Sequence, residues 1–169
     1  MLPGLSVVIG GVASGASVFA ENMVLSTGRT PVALLTAKPG DPAMDARLAR
    51  RQAAQDANWQ VIEGPLDIGR TLAGISGDTA VLLDGLPAWL FNQVEAGNDL
   101  NEAEAELMAG LALCSAPVVV LTGEPALSAE YDAPFCAAQG TLNQKLALKA
   151  GLVVNVIAGL PQVLKGALP

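Results

Sequence analysis

Val7-Val8-Ile9-Gly10-Gly11-Val12-Ala13-Ser14-Gly15-Ala16-Ser17 organises the rest of the chain. The mostly apolar run from Leu5 to Ile9 reads as a buried strand, the small residues after it as a tight loop, and residues 15–27 as a helix in which Phe19, Met23 and Val24 face a sheet. Strand, glycine-rich turn and helix N-terminus together form the layout of a phosphate-binding loop, whose backbone amides and helix dipole meet an anion. The pattern G-x-x-x-x-G-K-[ST] fits from Gly10 to Ser17 at every position but one, where Ala16 replaces the lysine. In a working loop of this kind Ser17 would hold Mg²⁺. The bland reading is a glycine-rich turn in an ordinary α/β protein.

The bulk composition narrows the function. The chain has 169 residues, enough for one domain with a real core, and 51% hydrophobic residues with only 4% aromatic, so that core is built mainly from Ala, Val, Leu and Ile. Nine basic against sixteen acidic residues give a net charge of -7, which disfavours nucleic acid and anionic membranes as partners. The absence of histidine removes the usual acid/base group near neutral pH and the commonest metal ligand. Cys114 and Cys136 are far apart and in no metal spacing, which fits buried thiols in a reducing compartment. No apolar run approaches the ~20 residues of a membrane span, and the N-terminal apolar run breaks at Gly10 without a basic segment before it. The expectation is a soluble cytoplasmic protein.

Outward from the loop, apolar strands alternate with helices. Strands are expected at Val32–Thr36, Trp59–Ile62, Thr79–Asp84 and Pro117–Thr122, with Leu152–Ile157 the last, broken by Gly159-Leu160-Pro161. Helices are expected over 43–57, 66–75, 87–94, 100–114 and 134–150, the fourth with Glu102, Glu104 and Glu106 on one side and Leu107, Met108 and Leu111 on the other. Continuous apolar strands between helices argue for an α/β fold, a parallel sheet covered on both faces.

Several polar residues fall where such folds place ligands. Asp84 ends an apolar strand and would hold Mg²⁺ directly or through water; otherwise it caps a helix or turn. Glu124 follows another strand end and reads either as a ribose or metal contact or as a loop acid. Arg47, Arg50 and Arg51 share one expected helix, where a solvated face outweighs an anion site. Trp59 and Trp89 read as packing residues, and Asn143 faces either a ligand or a polar neighbour.

Taken together, these stretches resemble the bifunctional adenosylcobinamide kinase/adenosylcobinamide-phosphate guanylyltransferase family of cobalamin biosynthesis. Gly10–Ser17 with Ala20-Glu21 is similar to that family's G-G-A-R-S-G-K-S-x-x-A-E. Leu35-Thr36-Ala37, Asp41, Met44, Arg47-Leu48 and Trp59 are similar to its A-T-A…D-x-E-M-x-x-R-I…W block. Val81–Leu86, Trp89-Leu90 and Asn92 resemble L-L-D-C-L-T-x-W-L-x-N, and Glu124 falls at N-E-V-G. Gly140, Leu142-Asn143-Gln144, Ala158–Pro161 and Leu164-Lys165-Gly166 resemble the closing G-R-L-N-Q…A-G-L-P…L-K-G. The resemblance implies one P-loop domain, RecA-like and three-layered with a mainly parallel sheet, a tendency to trimers, and two reactions. A nucleotide phosphate moves to the hydroxyl of adenosylcobinamide, and a histidine then carries GMP from GTP onto that phosphate.

The departures fall on the chemistry. The loop lysine is Ala16, the loop arginine Ala13, the acid of D-x-E-M is Ala43, and the guanylylated histidine falls on Arg51, a permanently protonated side chain that cannot act as its nucleophile. A charge-assisted contact contributes about 1.5–3 kcal/mol, so losing the lysine would weaken binding by roughly one to two orders of magnitude. The expectation is a degenerate member in which Gly10, Gly11, Val12, Ala13, Ser14, Gly15, Ala16, Ser17, Asp84 and Glu124 surround ATP or GTP with Mg²⁺ on Ser17 and Asp84. Guanylyl transfer would be lost, kinase activity weak or lost, and a corrinoid a further ligand. The alternative is a non-catalytic structural or regulatory partner in the corrinoid pathway.

Overall fold

A computed structural model describes residues 1–37, 42, 45–46, 49, 59–125 and 132–169. Seven strands form one sheet: β1 (Leu5–Gly10), β2 (Thr30–Leu35), β3 (Gln60–Glu63), β4 (Thr79–Asp84), β5 (Val118–Thr122), β6 (Leu152–Ile157) and β7 (Leu160–Lys165), in the order β3-β2-β4-β5-β1-β6-β7. The first six are mutually parallel and β7 runs antiparallel to β6. The helices that lie wholly within the described residues are α1 (Ala16–Leu25), α2 (Ile68–Ala73), α3 (Leu86–Glu95), α4 (Leu100–Leu113) and α5 (Ala133–Lys149).

The central strands are buried on both faces, which is why they read as unbroken apolar runs. On one face Val7, Val81, Leu83, Val118 and Val120 pack with Leu72, Trp89, Leu107 and Leu142 from the helices. On the other, Val8, Leu82, Val119 and Val154 pack under Ala20, Met23 and Val24 of α1. Phe19, expected on that same face of α1, is only half-buried. Trp89 is 1% exposed and donates its indole N–H to the Leu66 carbonyl at 2.8 Å, and Trp59 packs half-buried. α2 and α4 meet backbone to backbone through Gly69 and Gly110.

Three expectations are corrected. Leu152–Ile157 is not the last strand: the chain reverses at Ala158-Gly159, both with positive φ (52° and 78°), and returns as β7. Pro161 is accommodated because β7 is an edge strand. Glu104 does not lie on a solvated acidic side of α4; it is 6% exposed and pairs with Lys145 of α5. The cysteines are free but half-buried rather than buried, and partial burial raises the Cys114 thiol above its ordinary range against a smaller lowering by a backbone hydrogen bond from Ala116. Of the helix expected over 43–57, Asp45, Ala46 and Ala49 are helical, and the rest lies outside the described residues, as do residues 126–131. No described helix is long and apolar enough to cross a membrane.

Candidate phosphate-binding site

β1 brings the chain to Gly10, the central part of the sheet's C-terminal edge, and α1 leaves from Ala16. In between, the Ser14 amide donates to the Gly11 carbonyl at 3.2 Å, and Ala13 and Gly15 take positive φ of 60° and 90°. Left-handed residues in such a turn aim successive N–H groups into a concavity, the backbone geometry of an anion nest.

Glycine is required at two points of this loop by close approach. A Cβ on Gly10 would lie 2.4 Å from Ser14 Oγ and 2.5 Å from Ala16 Cβ; one on Gly15 would lie 3.0 Å from Gly159 Cα. Gly11 by contrast faces open space, and Val12 is fully exposed, so the mouth of the loop is accessible.

The start of α1 supplies the electrostatics. Its N-cap is Gly15, which has no side chain to cap the first turn, and no acid sits in that turn to cancel the dipole. Among the described residues, the Ser14 hydroxyl takes up one of these donors, accepting from the Ala16 amide at 3.3 Å. A terminus with uncommitted amides and no acidic neighbour attracts an anion. Ser17 is half-buried in the first turn. Ala16 is 4% exposed and brings no charge. None of Gly10–Ser17 is basic.

Asp84 ends β4 with its carboxylate fully buried. Register places it opposite Leu121 of β5, while Ile9 lies opposite Thr122, so β5 alone separates the loop strand from the Asp84 strand. Two inter-strand steps amount to about 10 Å, a span that a cation and its waters can bridge. The Asp84 backbone is fixed by Thr36, whose amide and hydroxyl donate to its carbonyl at 3.3 and 3.2 Å, and the Thr36 hydroxyl also meets the Gly85 carbonyl. Asn92 in turn donates to the Thr36 carbonyl at 2.7 Å.

Asn143 faces polar neighbours rather than open space. It accepts from Thr122 at 2.9 Å and donates to the Gly123 carbonyl at 2.9 Å, which Gln139 also reaches at 2.9 Å. These bonds fix the end of β5 beside Gly10, and the sequence offered no signal for Gln139. Glu124, the next residue, is exposed. Arg51, with Lys38, Arg47 and Arg50, lies outside the described residues. The structure therefore brings Gly10–Ser17 and Asp84 to one edge of the sheet, with Glu124 following the strand between them.

A separate cleft of about 220 Å³ between α2, α3 and α4 is walled by Asp67, Asp99, Glu102 and Glu106. Four carboxylates repel a phosphate, so this cleft does not compete with the loop for a nucleotide.

A family model described as cobinamide kinase / cobinamide phosphate guanyltransferase matches residues 6–164. The chain is 28% identical over 166 residues to the bifunctional adenosylcobalamin biosynthesis protein CobP of Pseudomonas aeruginosa, covering 94% of this chain and 96% of that protein. The crystal structure of the flagellar accessory protein FlaH from Methanocaldococcus jannaschii superposes with a TM-score of 0.54 at 10% identity, covering 98% of this chain and 80% of that one. The mostly parallel sheet, with its loop after β1, is a P-loop fold of the RecA-like kind.

Proposed function

We propose that this chain, which belongs to the cobinamide kinase / cobinamide phosphate guanyltransferase family of cobalamin biosynthesis, binds ATP or GTP at Gly10–Ser17 but has lost guanylyl transfer and keeps little or no kinase activity. One observation carries the reading: a glycine-shaped loop opens onto an uncapped, acid-free helix start, while its lysine position holds a buried Ala16. The backbone supplies amides that bind a ground-state phosphate. The side chain that would follow charge onto the transferring oxygens is gone, and that loss weighs most in the transition state.

Ser17 and Asp84 fit Mg²⁺, since one is a first-turn hydroxyl and the other a carboxylate two strands away on the same edge. The ion would neutralise charge between the outer phosphates. Glu124, exposed beyond β5, would meet the ribose or the ion in this reading. The corrinoid and a homo-oligomer belong to the same proposal, and the exposed Leu160, Val163 and Leu164 of β7 offer apolar surface for self-association. Guanylyl transfer needs a nitrogen nucleophile to displace pyrophosphate from GTP, and a chain without histidine has none at the Arg51 position.

Calorimetric titration of the native chain with Mg-ATP and Mg-GTP is expected to give dissociation constants in the range of roughly 0.1–1 mM, one to two orders weaker than a lysine-bearing loop. Incubation with GTP labelled on the α-phosphate is expected to leave no protein-bound label. An absence of binding at millimolar nucleotide would favour the non-catalytic partner. A GMP adduct that survives base would contradict the loss of guanylyl transfer.

A further inference from the structure

The outer wall of the phosphate loop is a two-residue hairpin turn far from it in sequence. Ala158 and Gly159 connect β6 to β7 with φ of 52° and 78°, and Ile157 pairs with Leu160 to close the turn. Positive φ at both central residues is the mark of a type I′ turn. The Gly159 amide donates to the Ser14 carbonyl at 2.7 Å, and the position a Cβ would take on Gly15 is 3.0 Å from Gly159 Cα. On the inner side, the Val156 carbonyl lies 3.3 Å from where a Gly10 Cβ would stand. The end of β6 and the turn beyond it therefore press on the loop at three of its residues.

A trans peptide points its carbonyl and its amide in opposite directions. The Ser14 carbonyl is held outward by Gly159, so the Gly15 N–H is turned the other way, into the concavity. We propose that Gly159 is a positioning residue for the phosphate site: its amide sets the orientation of the Ser14–Gly15 peptide and thereby aims the Gly15 amide at the bound anion. This rests on the reading of Gly10–Ser17 as a phosphate cradle. It also makes the exposed hairpin, whose β7 residues are all on the surface, mechanically continuous with the loop.

The turn can be altered without crowding anything, because a Cβ at Gly159 meets no atom within 4 Å. Alanine there therefore tests backbone preference alone. Asparagine tolerates the left-handed region, alanine resists it, and a β-branched residue is a genuine outlier there. Gly159→Asn, Gly159→Ala and Gly159→Val are compared by titration with Mg-pyrophosphate, by thermal melting, and by amide hydrogen exchange of the ligand-free proteins.

The expected order is Asn close to native, Ala weaker by a few-fold and Val weaker by about tenfold, with less protection of the residue 159 amide, which bonds the Ser14 carbonyl, in Val and unchanged exchange in the β1–β5 ladder. If the Val variant does not fold, the Asn and Ala pair carries the same comparison. Equal affinity and equal exchange across the variants would overturn the proposal. If the native chain binds no pyrophosphate, the cradle reading fails, and the ligand-free exchange still decides whether the residue 159 amide holds the Ser14–Gly15 peptide. Reduced protection of that amide in the variants supports this hold and equal protection overturns it.

Discussion

Trp89→Ala is expected to destabilise the protein by about 3–5 kcal/mol, the usual cost of emptying a fully buried aromatic site. At this chain length that lowers the melting midpoint by roughly 6–20 °C. Trp89 is the largest fully buried side chain and belongs to the cluster that joins β2, β4, α2, α3 and α4. Its indole N–H bonds the Leu66 carbonyl, to which Gln93 also donates at 3.0 Å. Truncation therefore removes ring volume and one of the donors to that carbonyl at once, leaving Gln93 and the Ile68 amide. Trp89→Phe keeps most of the volume and leaves the Gln93 bond, so it should cost clearly less. α3 begins two residues after Asp84, and loosening it also loosens the strand end that carries the carboxylate. Chemical denaturation of both variants checks this; a loss below 1 kcal/mol for Trp89→Ala would contradict the packing described.

Gly110→Ala sets two effects of opposite sign against each other. Inside an exposed helix the change would stabilise by about 1 kcal/mol through helix propensity. Here a Cβ would stand 2.1 Å from the Gly69 carbonyl oxygen, and a Cβ on Gly69 would stand 2.4 Å from the Glu106 carbonyl oxygen. Backbone atoms on both sides leave nothing flexible to give way, so α2 and α4 must separate, and the packing of Leu72 and Leu107 goes with them. The expected net loss is about 2–4 kcal/mol. Gly69→Ala should behave alike, and the double variant should cost less than the sum because both relieve one contact. A stabilising Gly110→Ala would show that the two helices do not touch as described.

Much of this architecture was legible because parallel strands buried on both faces carry a strong signal. Thr79–Asp84 and Leu152–Ile157 begin and end where their apolar runs do. The loop was legible for a related reason, since Gly10 and Gly15 are fixed by contacts that admit no side chain. β7 was hidden because its Pro161 and the Gly159 before it read as a break, and because an alanine with positive φ gives no turn signal. Glu104 was hidden because it sits between two acids in the sequence, although an i, i+2 spacing sets it on the opposite face with Leu107, and its pairing with Lys145 is set by the distant α5. Gly69 and Gly110 look like weak points of helices until the crossing between them is seen. Gln139 and Gly159 serve the site through single bonds between remote segments, and local sequence does not encode those.

Ala16 stands where the phosphate-loop pattern has its lysine, whereas Gly10 and Gly15, which shape the loop, are present. A cradle of intact backbone that lacks only its charge should respond to that charge. The decisive measurement is the Mg-ATP dissociation constant of the native chain beside that of Ala16→Lys, each with its melting midpoint. The account predicts that the lysine tightens binding by about 10- to 100-fold, the worth of one charge-assisted contact to phosphate. Unchanged or weaker binding in an Ala16→Lys protein that melts like the native chain would contradict it.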